Sequence, residues 1–149
     1  MDCQLLLKNA NLKNTPQRLC LLQVLSKHTH PTIDEIYEQV RAIYPSISLA
    51  TVYKNLSVLI EANLVVEVSV SGKKSRYDIF ERPHIHAVCN GCGAVTDLFE
   101  EDADLACYQS GLESKLGAKI GTINIVALLN SCKECVQTTE CRVRKTEFA

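Results

Sequence analysis

The stretch Ser48-Leu-Ala-Thr-Val-Tyr-Lys-Asn-Leu-Ser-Val-Leu-Ile-Glu-Ala62, followed by Val66-Glu-Val-Ser-Val70 and Arg76-Tyr-Asp-Ile-Phe80, decides how this chain folds. In the first segment Leu49, Val52, Leu56, Leu59 and Ile60 recur on one face at helical spacing, with Ser48 placed to cap the start and Asn63 suited to the end. From Val66 the period drops to two, Ser71-Gly72-Lys73-Lys74 turns, and a second alternating run returns, which predicts a β-hairpin with a basic tip. Upstream, Leu5–Leu12 forms a short helix, and Thr15-Pro16 opens a second that runs to His28. His30-Pro31 breaks it. Thr32-Ile33-Asp34-Glu35 is a capping box for a third helix, buried along Ile33, Ile36, Tyr37 and Val40 and ended by Pro45. Helices followed by a hairpin outline a winged helix-turn-helix.

Downstream, strands are expected at His86–Val88 and Ala94–Asp97, flanking a turn at Cys89–Gly93. A helix is expected over Asp102–Leu116, and a third strand within Ile120–Leu129. The polar tail from Val136 has no assignment. The chain therefore reads as α+β: a winged helix over residues 1–80, a hinge at 81–84 and a small α/β domain over 85–149.

Charge divides the same way. The whole chain of 149 residues has a net charge of −1. Residues 1–76 carry nine Lys/Arg against six Asp/Glu, and residues 77–149 carry seven against eleven, so +3 faces −4. A basic front and an acidic back imply different partners. There is no apolar run of membrane-spanning length and no signal-peptide pattern at Met1-Asp2-Cys3-Gln4, so a cytoplasmic protein is expected. In that compartment eight cysteines read as metal ligands or redox thiols and not as a disulfide framework.

Two Cys-x-x-Cys pairs, Cys89/Cys92 and Cys132/Cys135, provide four thiolates in the form that suits tetrahedral zinc. Redox disulfides are the competing reading. His84 and His86, just ahead, add imidazoles that suit zinc, iron, nickel or copper. Cys20 and Cys107 are expected as core packing, His28 as a surface residue, and Cys141 as a bystander.

The polar face of the fourth helix holds Ala50, Thr51, Lys54, Asn55 and Ser57, with Tyr53 at its edge. Asn can pair with adenine, Lys with guanine or phosphate, and Ala or a Thr methyl can touch thymine. Arg18, Lys73 and Lys74 are placed to reach phosphates. An ordinary amphipathic helix with a solvated face is the alternative.

Taken in order, Thr15-Pro-Gln-Arg18, His30-Pro31, Ser48-Leu-Ala-Thr-Val-Tyr-Lys-Asn-Leu56, Tyr77-Asp78, His84-Ile-His86, Cys89-Asn-Gly-Cys92-Gly93 and Cys132-Lys-Glu-Cys135 resemble the ferric uptake regulator family over Leu5–Cys135. The resemblance implies a homodimeric, metal-dependent transcriptional repressor, not an enzyme, with a winged helix ahead of an α/β dimerisation domain. It implies palindromic double-stranded operator DNA as the partner, with no membrane and no organic cofactor. The DNA-contacting set would be Arg18, Ser48, Ala50, Thr51, Tyr53, Lys54, Asn55, Lys73 and Lys74.

The chain looks most like the peroxide-responsive branch. There a zinc held by four cysteines is structural, and three His with two Asp take Fe(II) or Mn(II). By matching motifs the second site would be His30, Asp78, His84, His86 and Asp97, with His30 and His84 sensitive to oxidation. Iron-sensing relatives tend to carry Glu where Asp97 stands. Many relatives also place histidines in the strand before the last cysteine pair; Gly121–Leu129 has none, so a third metal site is not expected. An iron-availability repressor of the same fold, and from another class a thiol-disulfide redox protein, are the alternatives.

Overall fold

A computed structural model describes residues 2–70, 72–99, 104–133 and 135, which form two compact units. The first comprises residues 1–69 and 74–82, the second residues 70–73 and 83–149.

In the first unit, helices α1 (Cys3–Asn9), α2 (Pro16–Leu25), α3 (Ile33–Ile43) and α4 (Leu49–Glu61) precede an antiparallel pair, β1 (Val65–Val68) and β2 (Arg76–Ile79). Each helix starts where an oxygen-bearing side chain satisfies its orphan amides. Asp2 caps α1, Thr15 caps α2, Thr32 and Glu35 form the full capping box of α3, and Ser48 caps α4. Asn63, with φ of 55°, adopts the left-handed turn just past α4. α2 ends at Leu25 and not at His28, because a turn intervenes before two left-handed residues, His28 and His30.

The core joins Leu7 of α1, Leu21, Leu22 and Leu25 of α2, Ile36 and Val40 of α3, Val52, Leu56 and Leu59 of α4, and Val65 and Ile79 of the hairpin. Each such side chain contributes about 1.5–3 kcal/mol by leaving water. Leu49, expected on the buried face of α4, is instead exposed, since the first turn of that helix projects beyond its neighbours' cover.

The second unit contains β3 (Ile85–Cys89), β4 (Val95–Leu98), α5 (Leu105–Leu116) and β5 (Ile125–Leu129). Its sheet runs β4-β3-β5, with β4 antiparallel and β5 parallel to the central β3. β5 begins five residues later than the apolar run suggested, and the expected start of α5 at Asp102 lies outside the described residues. Cys107 is exposed and not core packing, because among the described residues of α5 only Leu105 is buried. Tyr108, Leu116, Leu128 and Leu129 are likewise exposed apolar side chains of this unit. The tail from Val136, with Cys141, lies outside the described residues. Among the described residues no helix is long and apolar enough to cross a membrane.

Candidate metal centres and nucleic-acid interface

Cys89 ends β3, and the chain reverses at once: the amide of Gly93 donates to the Cys89 carbonyl (2.7 Å) and the Cys89 amide to the Ala94 carbonyl (2.9 Å). Gly93, at φ of 77°, supplies the left-handed turn. The Asn90 amide donates to the Leu129 carbonyl (2.9 Å), tying this turn to the end of β5, just before Cys132 and Cys135. Gly91 makes room: a Cβ there would stand 3.0 Å from the Cys135 sulfur.

All four sulfurs lie within 4.8 Å of one another, with Cys89–Cys135 at 3.5 Å and Cys92–Cys132 at 3.6 Å. Metal–sulfur bonds of about 2.3 Å place the corners of a tetrahedron roughly 3.8 Å apart, so the cluster fits a zinc ion. These separations are far beyond a disulfide bond. The thiols also ionise unequally. The Cys92 amide directed at its sulfur pulls the Cys89 pKa down to about 6, whereas the crowding sulfurs of Cys92 and Cys89 push Cys135 up to about 12. Four thiolates at this density need a cation among them to ionise together.

Imidazoles and carboxylates gather separately in each unit. In the second, His86 of β3 is the cross-strand partner of Asp97 in β4, and His84 lies just before β3. The Nε2 atoms of His84 and His86 are 3.0 Å apart, and each is within 3.8 Å of Asp97 Oδ1. Both imidazoles are almost fully buried, with the Phe99 ring 5.4 Å from His84. Two imidazoles and one carboxylate converging in this way form a donor set whose chemistry suits a divalent ion such as Fe(II) or Mn(II).

In the first unit, Asp78 of β2 is buried and is met by two histidines from the α2–α3 loop. His30 Nε2 lies 3.9 Å from Asp78 Oδ2, and His28 Nδ1 lies 3.4 Å from Oδ1. β2 holds that loop directly, since Arg76 donates to the His30 carbonyl (2.8 Å) and the Tyr77 amide to the Pro31 carbonyl (3.0 Å).

On α4, Ala50, Tyr53 and Lys54 are exposed. Ser48 caps the helix, its hydroxyl 2.8 Å from that of Thr51, and Asn55 donates to the Thr51 carbonyl (2.9 Å). The basic residues are more engaged than the sequence implied. Arg18 is half-buried and donates to the Lys13 carbonyl, Lys74 pairs with Asp34, and Lys73 donates to the Gly91 carbonyl (2.9 Å) within the second unit.

The sequence model of the ferric uptake regulator family matches residues 9–127. The chain belongs to the ferric uptake regulator family. It is thus a metal-responsive transcriptional repressor by class, with the α+β architecture of an N-terminal DNA-binding domain and a C-terminal dimerisation domain. The chain is 41% identical over 134 residues to the peroxide-responsive repressor PerR of Staphylococcus aureus, covering 87% of this chain and 86% of that one. The crystal structure of the Campylobacter jejuni peroxide stress regulator superposes with a TM-score of 0.77 at 50% identity, over 91% of this chain and all of that one. The ferric uptake regulator of Pseudomonas aeruginosa with manganese gives 0.71 at 26% identity, over 89% and 99%. Cys132 and Cys135 lie beyond the stretch that the family model matches, so their reading rests on the sulfur geometry.

His28 is exposed, as expected of a surface residue, but sequence reasoning missed its contact with Asp78. Its side chain is about one-third exposed, yet its ring faces Asp78. The His-x-His spacing of His28 and His30, repeated at His84 and His86, was the available signal.

Proposed function

We propose that this chain is a homodimeric repressor that binds operator DNA when a divalent ion is held by His30, Asp78, His84, His86 and Asp97, and that releases it when peroxide oxidises one of those histidines. The four-cysteine cluster would hold zinc and brace the second unit. The observation that carries the reading is the convergence of His84, His86 and Asp97: a nitrogen-and-oxygen donor set that suits Fe(II) or Mn(II), separate from the thiolates.

His30 and Asp78 belong to the first unit and the other three residues to the second. One ion shared by all five would couple the units, and its differential affinity for the coupled conformer would set the population that presents two α4 helices to successive major-groove faces. The exposed apolar side chains of α5 and β5 would meet a second copy of the chain. Ala50, Tyr53 and Lys54 would read bases and phosphates, joined by Ser48, Thr51 and Asn55, while Arg18, Lys73 and Lys74 would exchange their internal partners for phosphate. The cytoplasm is the compartment this role requires.

When bound, Fe(II) supplies one-electron reduction of peroxide, which Mn(II) does far more slowly. His30 and His84 would be the imidazoles that receive the oxygen. The change is a net two-electron oxidation in which a ring C–H becomes a carbonyl, one oxygen is gained, and peroxide leaves as water. An oxidised imidazole is a poorer ligand, so the coupled conformer loses its support. The same donor set would serve an iron-availability repressor if the imidazoles resisted oxidation; membership in a ferric-uptake family keeps that reading second.

The test measures operator binding by Fe(II)- and Mn(II)-loaded dimer before and after brief anaerobic peroxide, followed by peptide mass analysis. Iron-dependent loss of binding with one added oxygen on a peptide containing His30 or His84 supports the proposal. Unchanged binding by the iron form, reversed only by chelator, would leave an iron-availability repressor. If the manganese form releases DNA as fast as the iron form and zinc is lost, a thiol-disulfide switch replaces both.

A further inference from the structure

We infer that His28 is a positioning residue for Asp78: it holds one carboxylate oxygen so that the other is presented to the metal site, and thereby sets the ion's affinity. The inference rests on the proposal that Asp78 is a ligand.

The two oxygens of Asp78 face different imidazoles. His28 Nδ1 is 3.4 Å from Oδ1, and His30 Nε2 is 3.9 Å from Oδ2. The assigned ligand histidine therefore shares Oδ2 with the site, while Oδ1 is turned toward His28. A carboxylate free to rotate about its last torsion presents either oxygen; a donor fixed on one side selects the other. At 3.4 Å the contact at Oδ1 is an ion-pair approach and not a formed hydrogen bond.

The backbone supplies a second, independent observation. His28 and His30 both sit in the left-handed region, with φ of 51° and 47°. Side-chain-bearing residues enter that region at a cost, and the other two non-glycine residues found there among those described, Asn11 and Asn63, are of a type that tolerates it well. Two histidines so held, separated by Thr29 and both facing one buried carboxylate, mark a loop shaped around Asp78. β2 enforces that shape from its own side: Arg76 grips the His30 carbonyl and Tyr77 the Pro31 carbonyl, which registers the loop against Asp78. The His28 side chain is about one-third exposed, whereas that of Asp78 is almost fully buried. An outer residue of this kind changes a metal's affinity without touching it.

The backbone conformation also supplies the test. His28→Gly removes the ring where glycine is at ease, and His28→Asn restores an N–H donor at the same distance from the main chain while tolerating positive φ. Full-length zinc-containing dimers of wild type, His28→Gly, His28→Asn and Asp78→Ala are titrated with Mn(II), and the unbound ion is counted by its electron paramagnetic resonance signal. The glycine variant is expected to bind Mn(II) about tenfold more weakly, with the asparagine variant recovering most of that loss. Wild-type affinity in the glycine variant overturns the inference, as does an equal loss in both His28 variants, which would assign the effect to the ring or the loop and not to the donor. Asp78→Ala separates the premises: if it too binds Mn(II) like wild type, Asp78 is not a ligand and the proposed function itself fails.

Discussion

The thiolate knuckle and the imidazole–carboxylate clusters are assembled in opposite ways. All four cysteines belong to the second unit, in two pairs brought together at the ends of neighbouring strands. They make a closed four-coordinate set. The His and Asp residues of the proposed second site are divided, two in the first unit and three in the second, so a divalent ion taking five or six ligands would draw on both. A closed site within one unit lends its binding energy to folding. The proposed shared site would instead lend it to the equilibrium between arrangements of the units.

The largest expected effect falls on the closed site. Cys92→Ser or Cys132→Ser should abolish zinc retention and unfold or dissociate the second unit, because structural zinc contributes about 10–16 kcal/mol in small metal-dependent folds. Zinc analysis and sedimentation of the purified variants check this. A stable dimer lacking zinc would break the contrast, showing that the knuckle is not what holds the unit together. The divided site should respond differently. Asp97→Ala should weaken Mn(II) binding by more than the roughly 100-fold upper end of outer-sphere effects, while zinc content and the dimer persist. Operator binding that stays undiminished and metal-dependent in both Asp78→Ala and Asp97→Ala would remove the divided site from the mechanism.

The same contrast explains which features were legible in the sequence. Caps at Thr15, Thr32 and Ser48, the change of period after Asn63 and the paired Cys-x-x-Cys spacings are local, and local rules place them. Contacts between distant segments were less accessible. His28 meets Asp78 across 50 positions, beside a loop that β2 grips at His30 and Pro31, so reading it as a surface residue was right but did not reveal this contact. Cys107 and Leu49 failed for another reason. Helical periodicity says which side chains share a face, not whether anything covers that face, and the described side chains of α5 after Leu105 have little over them. The engagement of Lys73 with Gly91 also escaped, because a basic turn looks the same whether its ammonium meets phosphate or a carbonyl.

That distinction gives a smaller prediction on the DNA face. Lys54 is exposed, whereas Lys74 is paired with Asp34. Lys54→Ala should lower operator affinity and reduce the salt dependence of log K by about 1, the value of one phosphate contact. Lys74→Ala should do less, because that lysine must first leave its partner. Titrations at several salt concentrations measure both, and equal slopes for the two variants would mean that the Asp34 pair opens freely on DNA.

The smallest effect concerns a carboxylate satisfied wholly by protein donors, the reference against which Asp78 and Asp97 can be judged. Glu113 on α5 accepts from Lys119 (2.8 Å), from the Ile120 amide (3.0 Å) and from Gln109 (3.1 Å). These contacts, the Lys119 hydrogen bond foremost, hold its pKa near 2, below the ordinary 4.5. Because the folded value is the lower one, this group stabilises the fold above pH 4.5 and its contribution fades as pH falls toward 2. Carbon-13 NMR of the Glu113 carboxyl should therefore show titration near pH 2 in the wild type, rising toward 4.5 in Lys119→Ala. If Lys119→Ala leaves the titration unchanged, the amide of Ile120 and not the ammonium dominates. The effect of Lys119 on global stability should be slight, since an ammonium this exposed is screened by water and salt. A carboxylate held in this way has its charge balanced by an ammonium and two N–H donors; Asp78 and Asp97 also face imidazoles, which can serve as neutral ligands, and that difference in partner is what the proposed metal site would exploit.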